Sequence, residues 1–287
     1  MGRAFAKYEG LGNDFVVIDA SEWPEQTLTP AFARAVCDRH RGIGADGVLW
    51  IGPGDGEHTD ARMVVINADG SRPEMCGNGV RCVVAHLGNS NRLAAATPLR
   101  LMTDAGLRPA SLRAARDAGG TSVVDVDMGP VRVDSVGDIV VSGRACSVVP
   151  VDVGNPHAVI FGPLPSDEIA AVRAIESRRD VWPRGVNVEF VRIGGAGEPL
   201  RVRVHERGVG WTQACGTGAC AVAGAAVARG LAGARIGTAL TVQLDGGSLE
   251  VVIERANDEL RARVQGPARH VFTGTIDRGA AIAWGAA

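Results

Sequence analysis

Two cysteines in this chain stand directly before a Gly-x-Gly turn, and each turn leads into an apolar stretch rich in alanine and valine. The first motif covers residues 75–85 (MCGNGVRCVVA) and the second residues 214–223 (ACGTGACAVA). The lead cysteines, Cys76 and Cys215, are 139 positions apart (215 − 76), close to half of the 287 residues. The repetition predicts a buried helix after each turn and a duplicated fold.

A cysteine at a helix N-terminus suggests acid–base chemistry. The amide groups and partial positive charge there should lower the thiol pKa, and the glycines let the backbone approach a carboxylate. Two such helix starts facing each other would hold one carboxylate between two thiols. A carbon acid next to a carboxylate needs a base on one face and an acid on the other. We therefore predict that Cys76 and Cys215 are catalytic.

The alternative interpretation is that these are small cysteines buried at glycine-rich helix starts. The repeated Gly-x-Gly argues against it for the two lead cysteines. We assign a packing role to the other four, which are Cys37, Cys82, Cys146 and Cys220.

Polar residues in loops and at strand ends fit the same kind of site. Each asparagine alone could cap a turn, and a lone His157 would more often be structural. Glu206 and Arg207 end a predicted strand eight residues before Cys215. Together, amides and a Glu–Arg pair suit a zwitterionic amino-acid group. The asparagines are Asn13, Asn67, Asn155 and Asn187.

The hydrophobic pattern predicts short strands and four helices. Strands are predicted over 3–9, 14–19, 47–51, 61–67, 99–104, 121–128, 145–153, 187–192, 200–206, 239–244, 249–254 and 260–265. Helices are predicted from Pro30 to about 40 with Thr29 as N-cap, up to about 88 in the first motif, over 166–179 with Ser166 as N-cap, and over 217–230. Residues 268–276 should return to pair with the first half, and a linker is placed near 106–120.

The fold class that follows is α/β of the α+β type, with several strands around one apolar helix, used twice. The predicted N-terminal half covers 1–118 plus 268–287, and the C-terminal half covers 119–267.

Composition excludes several functions. A net charge of −2 gives no reason to expect nucleic-acid or membrane binding, and the start lacks the apolar run of a signal peptide, which predicts a cytoplasmic location. The six cysteines should be reduced. The sequence contains no C-x-x-C pair, so neither a zinc site nor a redox site is indicated. Lys7 is the only lysine, so a pyridoxal phosphate cofactor is not expected. We predict no metal and no cofactor.

The chain resembles the diaminopimelate epimerase family over nearly its whole length. The matching stretches are 5–7 (FAK), 10–15 (GLGNDF), 42–47 (GIGADG), 67–71 (NADGS), 74–81 (EMCGNGVR), 154–157 (GNPH), 206–210 (ERGVG) and 214–219 (ACGTGA). The resemblance implies two pseudo-symmetric domains, each a curved mixed sheet around a central helix, with the site in the cleft between them. It implies cofactor-free interconversion of LL- and meso-2,6-diaminopimelate, in lysine and peptidoglycan precursor synthesis, by a protein that forms homodimers.

The resemblance also implies roles for individual residues. Cys215 would accept the α-proton of the LL substrate and Cys76 would donate one to the opposite face. Backbone amides would hold the reacting carboxylate, at Gly77, Asn78, Gly216 and Thr217. The distal amino-acid end would be bound by Asn13, Asn67, Asn155, Asn187 and Arg207. Glu206 would meet the reacting amine, and His157 and Glu206 would tune the thiol pKa values.

Three positions depart from the family pattern. Trp211 stands where a glutamate is expected, and Gly47 where some relatives have a substrate-contacting glutamine. Phe272 stands where relatives often have a tyrosine linked to the dimer contact, so the dimer is expected to be weaker.

The sequence also leaves three rival functions open. A proline-type racemase of the same superfamily would have histidine after Cys-Gly and no use for Glu206 and Arg207. A cysteine hydrolase would need a histidine and an acidic partner for one nucleophile and would not use a second Cys-Gly turn. A non-catalytic binding protein would leave its pathway unaffected when the cysteines are replaced.

Overall fold

A computed structural model describes residues 2–141, 143–195, 197–277 and 279. The chain forms two compact units, one from Met1–Val126 with Gly266–Ala287 and the other from Asp127–Gln265. The sequence predicted that the halves carrying the two motifs meet at 118/119 and 267/268. That division stays a prediction.

The first unit contains a mixed sheet and the helices α1 and α2. Its elements are β1 (Arg3–Gly10), β2 (Asn13–Asp19), a 3₁₀ turn (Glu25–Thr27), α1 (Pro30–Cys37), β3 (Gly47–Pro53), β4 (Ala61–Asn67), α2 (Gly77–Asn89), β5 (Pro98–Thr103), β6 (Gly106–Ala114) and the start of β7 (Thr121–Val133). β2 and β3 are parallel neighbours and so are β4 and β5. α1 connects the first pair and α2 the second.

The second unit repeats this arrangement. Its elements are the end of β7, β8 (Gly137–Val141), β9 (Arg144–Asp152), β10 (Pro156–Phe161), α3 (Glu168–Glu176), β11 (Asn187–Arg192), β12 (Leu200–Glu206), β13 (Gly210–Thr212), α4 (Gly216–Arg229), a 3₁₀ turn (Leu231–Gly233), β14 (Ala239–Leu244), β15 (Gly247–Ala256) and the start of β16 (Glu259–Ile276). β10 and β11 are parallel, as are β12 and β14, and α3 and α4 make the connections. Parallel neighbours require such crossovers, so the two units share one β–α–β plan.

The helix that follows each Cys-Gly motif is central to its unit. α2 contacts β1, β2, β3, β4 and β6, and α4 contacts β9, β10, β11, β14 and β15. Nearly every residue of either helix up to its last turn is buried. A helix that is apolar on all sides is stable only when neighbours cover it all round, and the strands of each unit do so. The predicted fold class, strands around a central apolar helix used twice, is confirmed.

Each outer helix covers a separate apolar core. In the first unit α1 contributes Phe32 and Val36 to a cluster with Trp23 and Trp50. In the second, α3 contributes Ala171, Val172 and Ile175 to a cluster with Phe190 and Trp182. Burying these side chains stabilises the sheets that present the site residues.

Several boundaries were predicted correctly and others were wrong. The strands at 61–67, 187–192, 200–206 and 239–244 are confirmed at both ends. The predicted linker at 106–120 is wrong over 106–114, because these residues form β6 with Ala110 and Leu112 buried. Asp167, not Ser166, caps α3, since its carboxylate accepts the amide of Ala170. The predicted return of 268–276 is confirmed, because the end of β16 pairs with β1.

Candidate active site

Cys76 and Cys215 occupy the same position in their two units. Each is the N-cap of its helix, with extended backbone at φ −142° and −129°, respectively. The Sγ of Cys76 accepts the amide of Gly79 at 3.3 Å, and the Sγ of Cys215 accepts that of Gly218 at 3.4 Å. A thiol therefore replaces the serine or aspartate oxygen that usually caps this amide, and it lies over the first helical turn.

The capping geometry also explains a glycine at the third helical position. An added Cβ at Gly79 would lie 2.9 Å from Leu49 and 3.4 Å from the Sγ of Cys76. At Gly218 it would lie 2.9 Å from a carboxylate oxygen of Glu189 and 3.3 Å from the Sγ of Cys215. The amides before these glycines begin the helices, and the first amides of a helix have no acceptor within it. Such a turn suits a bound carboxylate.

The Cys76 half-site is held by a polar network within the first unit. The Oδ1 of Asn13 accepts the Asn78 side-chain amide at 3.2 Å and lies 4.0 Å from the Sγ of Cys76. Arg81, which is 1% exposed, donates to the Oδ1 of Asn78 at 2.9 Å and to the carbonyl of Pro267 at 3.1 Å. The structure thus brings three predicted residues, Asn13, Cys76 and Asn78, together.

Charged residues that the sequence did not single out orient Asn13. The Oδ2 of Asp46 accepts the Asn13 side-chain amide at 2.9 Å. Asp46 is also paired with Arg39, which in turn binds Asp14. The buried ammonium group of Lys7 lies 2.6 Å from Asp14 and donates to the carbonyl of Gly44. Lys7 therefore has a place in this network.

Asn67 is not joined to this group. Its side-chain amide donates to the hydroxyl of Ser71 at 2.9 Å, within the turn that follows β4. Gly47, the position with the predicted departure, lies beside it across the strand pair β3–β4. A substrate role for Asn67 stays a prediction.

The Cys215 half-site contains the other predicted polar residues. The Oγ1 of Thr217 lies 3.4 Å from the Sγ of Cys215. The side-chain amide of Asn155 donates to that Oγ1 at 3.5 Å. The Oδ1 of Asn155 lies 3.0 Å from the Nε2 of His157. His157 is fully buried and is the second residue of β10, where the sequence had suggested a loop.

Glu206 and Asn187 complete this side. Thr212 donates to the Oε1 of Glu206 at 2.6 Å. Asn187 accepts the backbone amide of Arg207 at 2.9 Å, and the Arg207 guanidinium donates to the carbonyl of Arg184 at 2.7 Å. Asn187 thus orients the turn that carries Arg207, and the Arg207 side chain is exposed.

The sequence prediction about the second thiol was wrong in direction. Burial raises the pKa of Cys215 well above its ordinary value, and the charges of Glu206 and Glu189 raise it further, although hydrogen bonds with Thr217 and Gly218 oppose the rise. A helix N-terminus stabilises a nearby anion by about 0.3–1 kcal/mol, which is less than the cost of desolvating a buried charge. Burial likewise raises the pKa of Glu206, against hydrogen bonds with Thr212 and Cys215. These effects together favour the thiol form of Cys215.

Sequence reasoning missed Glu189. Its carboxylate is fully buried, and its Oε1 lies 2.6 Å from the Nδ1 of His157. One signal was available, because an acidic residue interrupts the otherwise apolar run of β11. A buried carboxylate needs a partner, and β10 supplies a histidine.

The remaining predicted residues lie away from these groups. The other four cysteines are buried, and burial raises the pKa of Cys37 to about 12. Phe272 is 44% exposed, and its ring meets that of Phe5 edge-on at 5.9 Å. Its role in a dimer stays a prediction. Trp211 packs on β12, with the guanidinium of Arg203 4.3 Å from its ring centre.

Known proteins resemble this chain in sequence and in fold. The profile of the family described as "Diaminopimelate epimerase" matches residues 5–133 and 149–271. A diaminopimelate epimerase of Synechococcus elongatus is 39% identical, with 96% of this chain and 99% of the relative covered. One from Microcystis aeruginosa is 40% identical, with 94% and 97% covered.

The chain belongs to the diaminopimelate epimerase family. Its members named above are isomerases. Solved structures of other proteins share the fold at lower identity. A hydroxyproline epimerase from Agrobacterium vitis has a TM-score of 0.71 at 17% identity, covering 97% of this chain and 94% of that one. A PhzF-family protein from Bacillus anthracis has a TM-score of 0.71 at 15% identity, covering 96% and 99%.

This member of the diaminopimelate epimerase family has no described helix that combines the length and apolar character needed to cross a membrane.

Proposed function

We propose that the protein interconverts LL- and meso-2,6-diaminopimelate by inverting one α-carbon without a cofactor, with Cys76 and Cys215 as the two acid–base groups. The observation that carries the proposal is the repeated cap, in which a cysteine sulfur lies over the first turn of the central helix in both units. The substrate follows from relatives at 39–40% identity that are named diaminopimelate epimerases.

The helix starts would bind and activate the substrate carboxylate. The amides at Gly77 and Asn78 and at Gly216 and Thr217 begin α2 and α4. Amide groups aimed at a carboxylate stabilise the negative charge that develops when the neighbouring α-carbon loses its proton. No bound metal or prosthetic group enters this step.

Proton transfer would use one thiolate and one thiol. The thiolate takes the α-proton, and the thiol on the opposite face gives its proton to the carbanion, so that the two sulfurs exchange protonation states in one turnover. Burial and two carboxylates raise the pKa of Cys215, so this cysteine would rest as the thiol. It is therefore ready to donate. To accept the proton of the LL substrate it must first lose its own, and Glu206, which is hydrogen-bonded to it, would take that proton.

The other predicted residues would bind the rest of the substrate. Glu206 would meet the reacting amine, and His157 together with Glu206 would set the acidity of Cys215. The distal amino and carboxylate groups would meet Asn13, Asn67, Asn155, Asn187 and Arg207. The exposed guanidinium of Arg207 is suited to the distal carboxylate.

The cellular role follows from the same proposal. The product would serve lysine and peptidoglycan precursor synthesis in the cytoplasm, and the protein would act as a homodimer with Phe272 at the contact. Size-exclusion chromatography with light scattering, on wild type and Phe272→Ala, would measure the oligomeric state.

The proposal predicts that purified protein exchanges solvent deuterium into the α-position of stereochemically pure diaminopimelate with no added cofactor. Cys76→Ala and Cys215→Ala should each lower full inversion by about 10²- to 10⁴-fold, because each removes one acid–base group. NMR would follow deuterium incorporation, and chiral chromatography would follow inversion.

Cys146→Ala is the matched control, since it removes a buried thiol that lies on β9. It should retain nearly all activity. Wild-type inversion in either lead-cysteine variant would refute the two-base mechanism. Exchange of proline but not diaminopimelate would instead favour the racemase alternative.

A further inference from the structure

A buried acidic residue behind the Cys215 half-site has no part in the proton transfers described above. Glu189 lies on β11 with Val188 and Phe190 as neighbours, and none of its surface is exposed. Its Oε1 lies 2.6 Å from the Nδ1 of His157, and its Oε2 has no hydrogen-bond partner among the described residues. An isolated carboxylate in the core is unfavourable, so its retention calls for a specific partner or task.

The local fold fixes this pair. β10 and β11 are parallel, with His157 opposite Asn187 and Val159 opposite Glu189. His157 and Glu189 are therefore diagonal neighbours on one face of the sheet. α4, which carries Cys215 at its start, contacts both strands.

A continuous series of polar contacts leads from Glu189 to the thiol. The Nε2 of His157 lies 3.0 Å from the Oδ1 of Asn155, whose amide donates to Thr217 at 3.5 Å. The hydroxyl of Thr217 lies 3.4 Å from the Sγ of Cys215. Both ring nitrogens of His157 thus face oxygen atoms, the Oε1 of Glu189 at Nδ1 and the Oδ1 of Asn155 at Nε2. The direction of each later contact depends on which ring nitrogens carry protons.

We propose that Glu189 is the positioning residue of the Cys215 half-site, because its carboxylate accepts the Nδ1 proton of His157 and so fixes the ring, Asn155 and Thr217 around the thiol. The inference rests on the proposed function for its catalytic consequence, but the hydrogen bond can be tested without a substrate.

Two further observations support this role. Position 218 is glycine, and an added Cβ there would lie 2.9 Å from the Oε1 of Glu189, so the helix start and the carboxylate are fitted to each other. The charge of Glu189 is also one of the causes that raise the pKa of Cys215. A carboxylate that only filled space in the core would need neither feature.

The first test detects the Nδ1 proton of His157 directly. In wild-type protein with ¹⁵N-labelled histidine, NMR should show a strongly deshielded, exchange-protected Nδ1–H signal that His157→Gln removes. The signal should be absent in Glu189→Gln, because glutamine can donate as well as accept and no longer specifies the protonated nitrogen. Absence of the signal in the wild type, or its persistence in Glu189→Gln, would overturn the proposal.

The second test is catalytic. Glu189→Gln should lower the kcat of α-proton exchange by about 10- to 100-fold, as loss of a carboxylate that orients a functional histidine does elsewhere, with a smaller change in KM. Glu168→Gln is the matched control. It removes a carboxylate from the same unit, where its partner is Arg203.

The outcomes separate the two proposals. If the wild type does not exchange diaminopimelate, the proposed function fails, and the Nδ1–H signal alone decides the role of Glu189. If the wild type exchanges its substrate and Glu189→Gln matches Glu168→Gln in kcat, the positioning role is refuted. If Glu189→Gln does not fold, the wild-type spectrum still decides whether the hydrogen bond exists.

Discussion

Replacing Gly218 by alanine tests how closely the second thiol is fitted to its surroundings. The new methyl group would lie 2.9 Å from the Oε1 of Glu189, 3.2 Å from the Cβ of Cys215 and 3.3 Å from its Sγ. Ordinary contact begins at 3.4 Å, so the carboxylate must move by about 0.5 Å. A misplacement of about 1 Å at a reacting group can cost about 10²-fold in rate. A shift of about half that size predicts a loss of about tenfold in kcat.

The same substitution should leave the protein folded. Overpacking of this kind costs about 1–3 kcal/mol, and alanine in place of helical glycine returns about 0.5–1 kcal/mol. The net destabilisation should be about 0–2.5 kcal/mol, which urea denaturation followed by circular dichroism would measure. Activity should therefore fall further than stability explains.

Gly137→Ala and Gly79→Ala serve as comparisons. A methyl group at Gly137 meets no atom within 4 Å, so this variant should match the wild type in both assays. At Gly79 the nearest atom is the end of the Leu49 side chain, which can move, and the Sγ of Cys76 is 3.4 Å away. Gly79→Ala should lose less activity than Gly218→Ala. Equal exchange rates for Gly218→Ala and Gly137→Ala would refute the reasoning.

Two further predictions concern the first unit. Asp46→Asn should lower the rate of α-proton exchange by about tenfold when both proteins are assayed at the same substrate concentration. Asp46 accepts the side-chain amide of Asn13 and so orients the Asn13 oxygen, which lies 4.0 Å from the Sγ of Cys76. Acid sensitivity should trace in part to Asp14, where burial opposes ionisation but Arg39 and Lys7 outweigh it and hold the pKa at about 2. Because this folded-state pKa lies below the unfolded value of about 4, the stabilisation is present above pH 4 and is lost as pH falls toward 2.

Each of these predictions has its own comparison. Asp60→Asn removes an exposed carboxylate paired with Arg100 in the same unit and should leave the exchange rate unchanged. For the acid effect, urea unfolding at pH 7 and at pH 3 should show a smaller loss of stability in Asp14→Asn than in the wild type. An equal loss in the two proteins would rule out Asp14 as a source of the acid sensitivity.

Local chemistry made much of the fold predictable from the sequence. Thr29 and Pro30 predicted the start of α1, and the Thr29 side chain does accept the amide of Phe32. Alternating or continuous apolar runs predicted most strands, because the burial pattern of a strand follows the order of apolar and polar residues in its own sequence. The repeated Cys-Gly turn predicted the two central helices, and both begin at the glycine after the cysteine.

The missed elements lack such a local signal. β8 is a short strand that is exposed at three of its five positions, and β13 has three residues. β10 begins at Pro156, which reads as part of a loop because proline cannot donate to a strand partner. Pairing with neighbours distant in sequence decides these strands, and a single sequence does not display that pairing.

The residues proposed for the candidate site could be chosen from the sequence, but their electrostatics could not. Cys76, Asn78 and Asn13 were named from the sequence, as were Cys215 and His157. Glu189 and Asp46, which hold two of these residues in place, were not, because only tertiary structure shows which side chain an acidic residue faces. The error about the Cys215 pKa has the same origin, since the helix start is visible in the sequence and the depth of burial is not.

The two thiols share one cap but differ in what surrounds it, and this difference bears on an epimerase that must run both ways. The Cys76 sulfur lies 4.0 Å from the amide oxygen of Asn13. At Cys215 the charges of Glu206 and Glu189 add to the effect of burial and raise the thiol pKa. The charges of Glu206 and Glu189 favour the protonated form of Cys215. The acidity of Cys215 in the proposed mechanism therefore depends on residues outside the repeated motif.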